Sequence, residues 1–118
     1  MPETVELDRD TGFIRIRSFG DTNLATMKRS VEESLEISRR ERVNKVLVDA
    51  TDLRALPSVL DLFRFASELP VDLKFAVVDP KHLEDKAMFV QSVAQNRSRR
   101  FRAFRRFEDA VNWLKEVE

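Results

Sequence analysis

Two aspartates, Asp49 and Asp79, each follow a run that reads as a strand, Val46-Leu47-Val48 and Leu73-Lys74-Phe75-Ala76-Val77-Val78. In an open α/β sheet such positions lie at the carboxyl edge, where ligands bind, and two acids there would suit Mg²⁺. Each also has a plainer reading. Asp49 enters a turn, and Asp79 precedes Pro80 as an N-cap precedes the first residue of a helix. His82 falls in the first turn of that helix and reads as a surface residue rather than a general base. With one histidine and no cysteine, multi-histidine and thiolate metal sites, disulfides and cysteine nucleophiles are excluded. No phosphate loop or nucleophile elbow accompanies the acids. The expectation is therefore no catalytic residue, no metal and no cofactor. An enzyme centred on Asp49 and Asp79 ranks behind two kinds of binding module.

Arg97, Arg99, Arg100, Arg102, Arg105 and Arg106 interleave with Phe101 and Phe104. Guanidinium groups bind phosphate bidentately, and aromatic rings between them can stack on bases or enter a lipid headgroup layer. The alternative is an edge strand whose phenylalanines close the core while its arginines discourage pairing with another sheet. Glu108, Asp109, Glu116 and Glu118 follow closely and can neutralise the patch. Over the whole chain 21 Lys and Arg balance 21 Asp and Glu, so no global charge draws the protein to nucleic acid, which is not an expected partner.

The segment Val59-Leu60-Asp61-Leu62-Phe63-Arg64-Phe65-Ala66 is too apolar for one helical stripe. With Leu60, Phe63 and Ala66 facing the sheet, Leu62, Phe65 and Leu69 form an adjoining face that needs cover. A buried Phe contributes roughly 1.5–3 kcal/mol, which argues against a wet face. Ordinary core, a homodimer or other protein partner, and a pocket for a small apolar or lipid-like ligand are the three candidates. A large lipid cavity conflicts with so short a chain, which would lose much of its stabilising packing.

These residues need a scaffold, and the periodicity supplies one. The chain has 118 residues, of which 42% are hydrophobic, with nine Phe, one Trp, two Gly and four Pro. That suits a single domain over residues 1–118 and leaves no apolar run long enough to span a membrane. Met1-Pro2-Glu3-Thr4 has no signal-peptide character, which implies a cytoplasmic protein. Val5-Glu6-Leu7 and Phe13 to Arg17 alternate around Gly12 as a hairpin. Asp21 or Thr22 can cap a helix with Leu24, Met27, Val31 and Leu35 on one stripe, ending near Arg42. Val43 to Val48 reads as a central strand, Asp49 to Pro57 as a loop. Ser58-x-x-Asp61 has capping-box spacing for a helix through Leu69, stopped by Pro70. A strand over Leu73–Val78, a helix from Asp79-Pro80 to Asn96 and a short strand at Arg102-Ala103-Phe104 follow. Phe107, Ala110, Val111, Leu114 and Val117 line a last helix, flanked by Trp113. The order β-β-α-β-α-β-α-β-α predicts a mixed α/β sheet with an N-terminal hairpin, parallel after its first strand, and about four packed helices.

This order, with Val46-Leu47-Val48-Asp49 before a loop and helix, Phe101-Arg102-Ala103-Phe104, and the ending Phe107-Glu108-Asp109-Ala110-Val111-Asn112-Trp113-Leu114, resembles the SpoIIAA-like STAS/SEC14 family of small bacterial proteins. The resemblance spans nearly the full length and rests on packing patterns. It implies a STAS-like α/β fold and a non-enzymatic role, either as a regulatory protein-binding module or as a binder of apolar or lipid-like molecules. STAS regulators carry an Asp-Ser-Ser-Gly-like turn with a phosphorylated serine. Here the stretch is Leu56-Pro57-Ser58-Val59-Leu60, so Ser58 is the phosphoacceptor equivalent and the glycine is missing. A phosphate would suit a helix N-terminus, but Asp61 would repel it, which favours Ser58 as a plain N-cap.

Overall fold

The computed structural model describes residues 3–116, so Val117 and Glu118 of the expected last helix, and Met1 and Pro2, lie outside the described residues. Strands β1 (Glu3–Leu7) and β2 (Ile14–Asp21) form the hairpin. Its turn closes through Gly12 N–H to the Asp8 carbonyl at 2.8 Å, with Gly12 at φ 79°, a conformation glycine adopts without steric cost. Strands β3 (Lys45–Ala55), β4 (Lys74–Val78) and β5 (Arg100–Phe104) then add in parallel, giving the order β1-β2-β3-β4-β5. Sequential right-handed crossovers place α1 (Leu24–Glu41), α2 (Val59–Ser67) and α3 (Glu84–Asn96) on one face. The last helix, α4 (Phe107–Lys115), packs on the other face against β3, β4 and β5.

The alternation of side chains along the strands divides the core accordingly. Ile14, Ile16, Val46, Phe75, Val77 and Phe101 belong to the layer under α1–α3. Leu47, Ala76 and Val78, with Phe13, meet Ala110 and Leu114 of α4. Lys74 is a buried cation in that second layer, 4% exposed. Its Nζ donates to the Trp113 carbonyl at 2.7 Å and lies 4.4 Å from the indole centroid, a favourable place for positive charge near a helix C-terminus. Over β1 and β2 the same face carries Glu6, Arg15 and Arg17, and of these Arg15 reaches the start of α4, its guanidinium 5.9 Å from the Phe107 ring centroid. Arg15 pairs with Asp8 and Asp49, and Arg17 with Asp52.

Several boundaries differ from the sequence expectation. The cap of α1 is Asn23, whose Oδ1 accepts from Thr26 N–H at 2.9 Å. Asp21 is engaged with Arg54 at 2.8 Å instead. The buried face of α1 is Thr26, Ser30, Ser34 and Ile37, with Met27, Val31 and Leu35 packed beside it; small hydroxyl residues let this helix approach the sheet closely. The expected loop from Asp49 is strand as far as Ala55, because β2 runs on to Asp21 and pairs with it through two register shifts. Finally, α2 stops at Ser67, leaving Leu69 beyond the helix.

Candidate functional site at the carboxyl edge of the sheet

Helix α2 is turned relative to expectation. Leu62, Ala66 and Leu69 are buried, while Val59, Leu60 and Phe63 are exposed at 54%, 59% and 39%. Leu62 and Leu69 are therefore core residues and present no face to a partner. Both triplets, 60/63/66 and 62/66/69, have helical spacing and comparable apolarity, so periodicity does not choose between them. The choice falls to the entry angle: only Leu56 and Pro57 separate the end of β3 from the Ser58 cap. Phe65, half-buried, points between α1 and the sheet and lines a cavity.

That cavity lies between the sheet and α1–α3 and has a volume of about 80 Å³, roughly half that of an engineered ~150 Å³ cavity known to hold benzene. Val48, Leu53 and Val77 form its floor, and Leu62, Phe65 and Leu83 its helical wall. Val31 and Phe65 also line an outer groove of about 220 Å³ between α1 and α2, spanned by Lys28 and Glu68 at 3.6 Å.

Two carboxyls border the cavity, Glu3 and Asp79. Ile16, Val48 and Val77 sit side by side across β2, β3 and β4. The next inward positions are Ser18, Ala50 and Asp79, of which Asp79 lies just past the carboxyl end of β4. Two strand spacings, roughly 10 Å, separate the ends of that row. Glu3 Oε2 accepts from the Ser18 hydroxyl at 2.5 Å and the Thr22 hydroxyl at 3.4 Å, and Oε1 accepts from the Ser30 hydroxyl. Burial pushes the Glu3 pKa up, the hydroxyls of Ser18, Ser30 and Thr22 pull it down, and Glu33 adds to the rise.

Asp79 is 5% exposed, and among the described residues its Oδ2 has no hydrogen-bond partner. It is not the expected N-cap. A 3-10 turn over Lys81–Leu83 intervenes before α3, capped by Pro80 without a side-chain hydrogen bond. The reason is that Asp79 N–H still bonds the Phe104 carbonyl at 3.0 Å, which extends the strand geometry and turns the carboxyl onto the sheet face. Burial raises its pKa from 3.8 to about 6, opposed by its own backbone amide and by Arg105 and reinforced by Glu84.

The other expected acid points away. Asp49 is in register with Val78 of the α4 layer, accepts from the Thr51 N–H and hydroxyl at 3.1 and 2.7 Å, and pairs with Arg15 at 3.6 Å. Alternation places Asp49 and Asp79 on opposite faces, so the two cannot share one Mg²⁺ ion. Among the described residues no three His, Asp or Glu cluster around a point that could hold a metal. His82 is exposed and its Nε2 hydrogen-bonds the Arg54 carbonyl at 3.1 Å.

The six arginines do not converge. Arg99 Nε donates to the Leu69 carbonyl at 2.8 Å and Arg100 to the Asp72 carbonyl at 3.3 Å, bracing the α2–β4 link. Arg97 lies over Phe63 and Arg102 over Phe104. At the other end of β5, Arg105 pairs with Glu84 and Arg106 with Glu108. Five strand residues separate the two ends by roughly 17 Å, too far for one phosphate to bridge. Strand β5 is a sheet edge. Ser58 Oγ accepts from Asp61 N–H at 3.3 Å, the geometry of an N-cap.

Sequence reasoning did not single out Glu3, Ser18 or Ser30, and took Thr22 only as a possible helix cap. A signal existed: Ser18 continues the inward series Ile14, Ile16, and Thr26, Ser30 and Ser34 recur every fourth residue on α1.

The sequence matches no family model and no curated protein. Among solved structures it is similar to an uncharacterized protein of the DUF3478 family from Shewanella loihica PV-4, described as having a SpoIIAA-like fold. The two share 18% identity with a TM-score of 0.59, and the match covers 95% of this chain and 91% of that one. Among the described residues no helix is long and apolar enough to cross a membrane. The hairpin, the parallel β2–β5 sheet, the three helices on one face and the helix on the other thus make up a SpoIIAA-like α/β fold.

Proposed function

We propose that this chain is a non-enzymatic, cytoplasmic STAS-type module that binds a small molecule with an apolar, lipid-like end. The observation that carries the reading is the position of Phe65 and Val31 between an inner cavity and an outer groove. Neither space alone suits a ligand of ordinary size. Joined by a rotamer change of Phe65, they approach the lower end of small-ligand pockets, roughly 300 Å³. Helix α2 then serves as the lid, with Leu62 on its inner wall. Octanol titrated into wild type, Phe65→Ala and Phe65→Trp, followed by native mass spectrometry and thermal unfolding, tests this. The smaller side chain should tighten octanol binding and the larger one weaken it. Equal behaviour of all three proteins, or no binding by any, refutes the reading.

A second reading, a regulatory or protein-interaction module that includes a homodimer, is favoured by the exposure of Val59, Leu60 and Phe63 on the outer side of α2. It uses a different face from Leu62 and Leu69. Loss of self-association in Leu60→Asp, with stability unchanged, supports it; a wild-type protein that sediments as a monomer at every concentration argues against the homodimer.

A further inference from the structure

The cavity contains a feature that an apolar ligand alone does not satisfy. Its floor and wall are hydrocarbon, yet the Asp79 carboxyl, 95% buried by the 5% exposure of its residue, lines the same space with one oxygen lacking a partner among the described residues. Buried polar groups are almost always paired, because leaving one unpaired is costly. The neighbouring groups do not supply the missing donor. Arg105 is directed to Glu84 at 3.1 Å, and the Asp79 amide is committed to the Phe104 carbonyl. Glu3, the other carboxyl on the cavity, already accepts from three hydroxyls. The open acceptor is therefore localised to one atom, at the carboxyl edge where sheets of this kind bind ligands.

We infer that Asp79 is the polar recognition group of the cavity and accepts a hydrogen bond from the ammonium of a small amphiphile, whose short apolar body fills the space beside Val77, Leu83 and Ala87. This rests on the reading of the cavity as a ligand site. An ammonium is favoured over a hydroxyl because a charge-assisted bond to a desolvated carboxylate is about twice as strong as a neutral one. An anionic ligand is disfavoured by two acids on one small cavity.

The probes are n-butylamine, n-butanol and butyrate, titrated at neutral pH into wild type and Asp79→Asn and read from backbone amide chemical shifts of Val77, Leu83 and Ala87. Wild type should bind butylamine about tenfold more tightly than butanol and show no response to butyrate. In Asp79→Asn the amine should lose that advantage while butanol binding persists. Equal affinity of wild type for amine and alcohol overturns the inference, as does an amine preference that survives in Asp79→Asn. In both cases the neutral alcohol still binds, so the cavity reading stands and only the role of Asp79 falls. Binding of none of the probes removes the cavity reading and this inference together. If Asp79→Asn does not fold, the comparison within the wild-type series decides alone.

Discussion

Replacing Asp79 with Asn separates the cost of burying its charge from the fold around it. The folded chain holds the Asp79 proton up to about pH 6, whereas a carboxyl with the ordinary value of 3.8 releases it earlier. Between those values the folded state binds more protons than the unfolded state, so stability is greatest below the unfolded value and falls as pH rises through the window. The shift corresponds to at most about 3 kcal/mol at neutral pH. The Asn amide brings donors of its own, and imperfect pairing of them offsets about 1 kcal/mol. The expected result is a variant about 2 kcal/mol more stable than wild type at neutral pH, with the difference crossing zero between about pH 4 and 5 and reversing to about 1 kcal/mol in favour of wild type below that. Burial is the leading cause. Arg105, which pulls the value down, and Glu84, which pushes it up, face the same group and remain in both proteins. Urea unfolding of both proteins at intervals across this range measures the difference directly. A variant that is less stable at all pH values, or a difference independent of pH, would refute the argument that Asp79 is a desolvated, unpartnered acid.

The remaining predictions concern the core, the cap and the arginines. Leu62→Ala should cost about 2–5 kcal/mol because Leu62 is fully buried, whereas Leu60→Ser should change stability by less than about 0.5 kcal/mol; urea unfolding distinguishes the two, and the opposite ranking would restore the orientation read from the sequence. Ser58→Ala should destabilise by about 1 kcal/mol through loss of the bond to Asp61 N–H, and no loss would remove Ser58 as a cap. Because the six arginines are split between the two ends of β5 and engaged within the chain, binding to duplex DNA should be weak, with a log-log salt slope near zero. A slope of about −5, the value for six phosphate contacts, would instead establish a continuous anion surface.

The order of elements, the hairpin, the parallel sheet and the Ser58 cap were legible in the sequence because each depends on local period and turn chemistry. The facing of α2 was not, since two apolar stripes of helical spacing compete and the end of β3 decides between them. Asp79 illustrates the same limit. Asp before Pro is a sound capping signal, but one backbone bond to Phe104 carries the strand geometry one residue past the end of β4 and redirects the side chain. Alternation also explains why Asp49 and Asp79, similar in sequence context, reach opposite sides of the sheet. Which face an acid occupies depends on counting from the observed strand, and that count was off wherever a strand outran its expected end. The Glu3 cluster depends on contacts between β1, β2 and α1, distant in sequence, and only the inward position of Ser18 hinted at it.

The contact between Lys74 and Trp113 has an experimental use. Trp113 is the chain's single indole, held against an ammonium on the side of the sheet away from Phe65 and Asp79. Its emission should report the loss of tertiary order when the protein melts and stay silent when a guest enters beneath α2, so optical melting curves and occupancy measurements can be recorded on one sample without either signal contaminating the other.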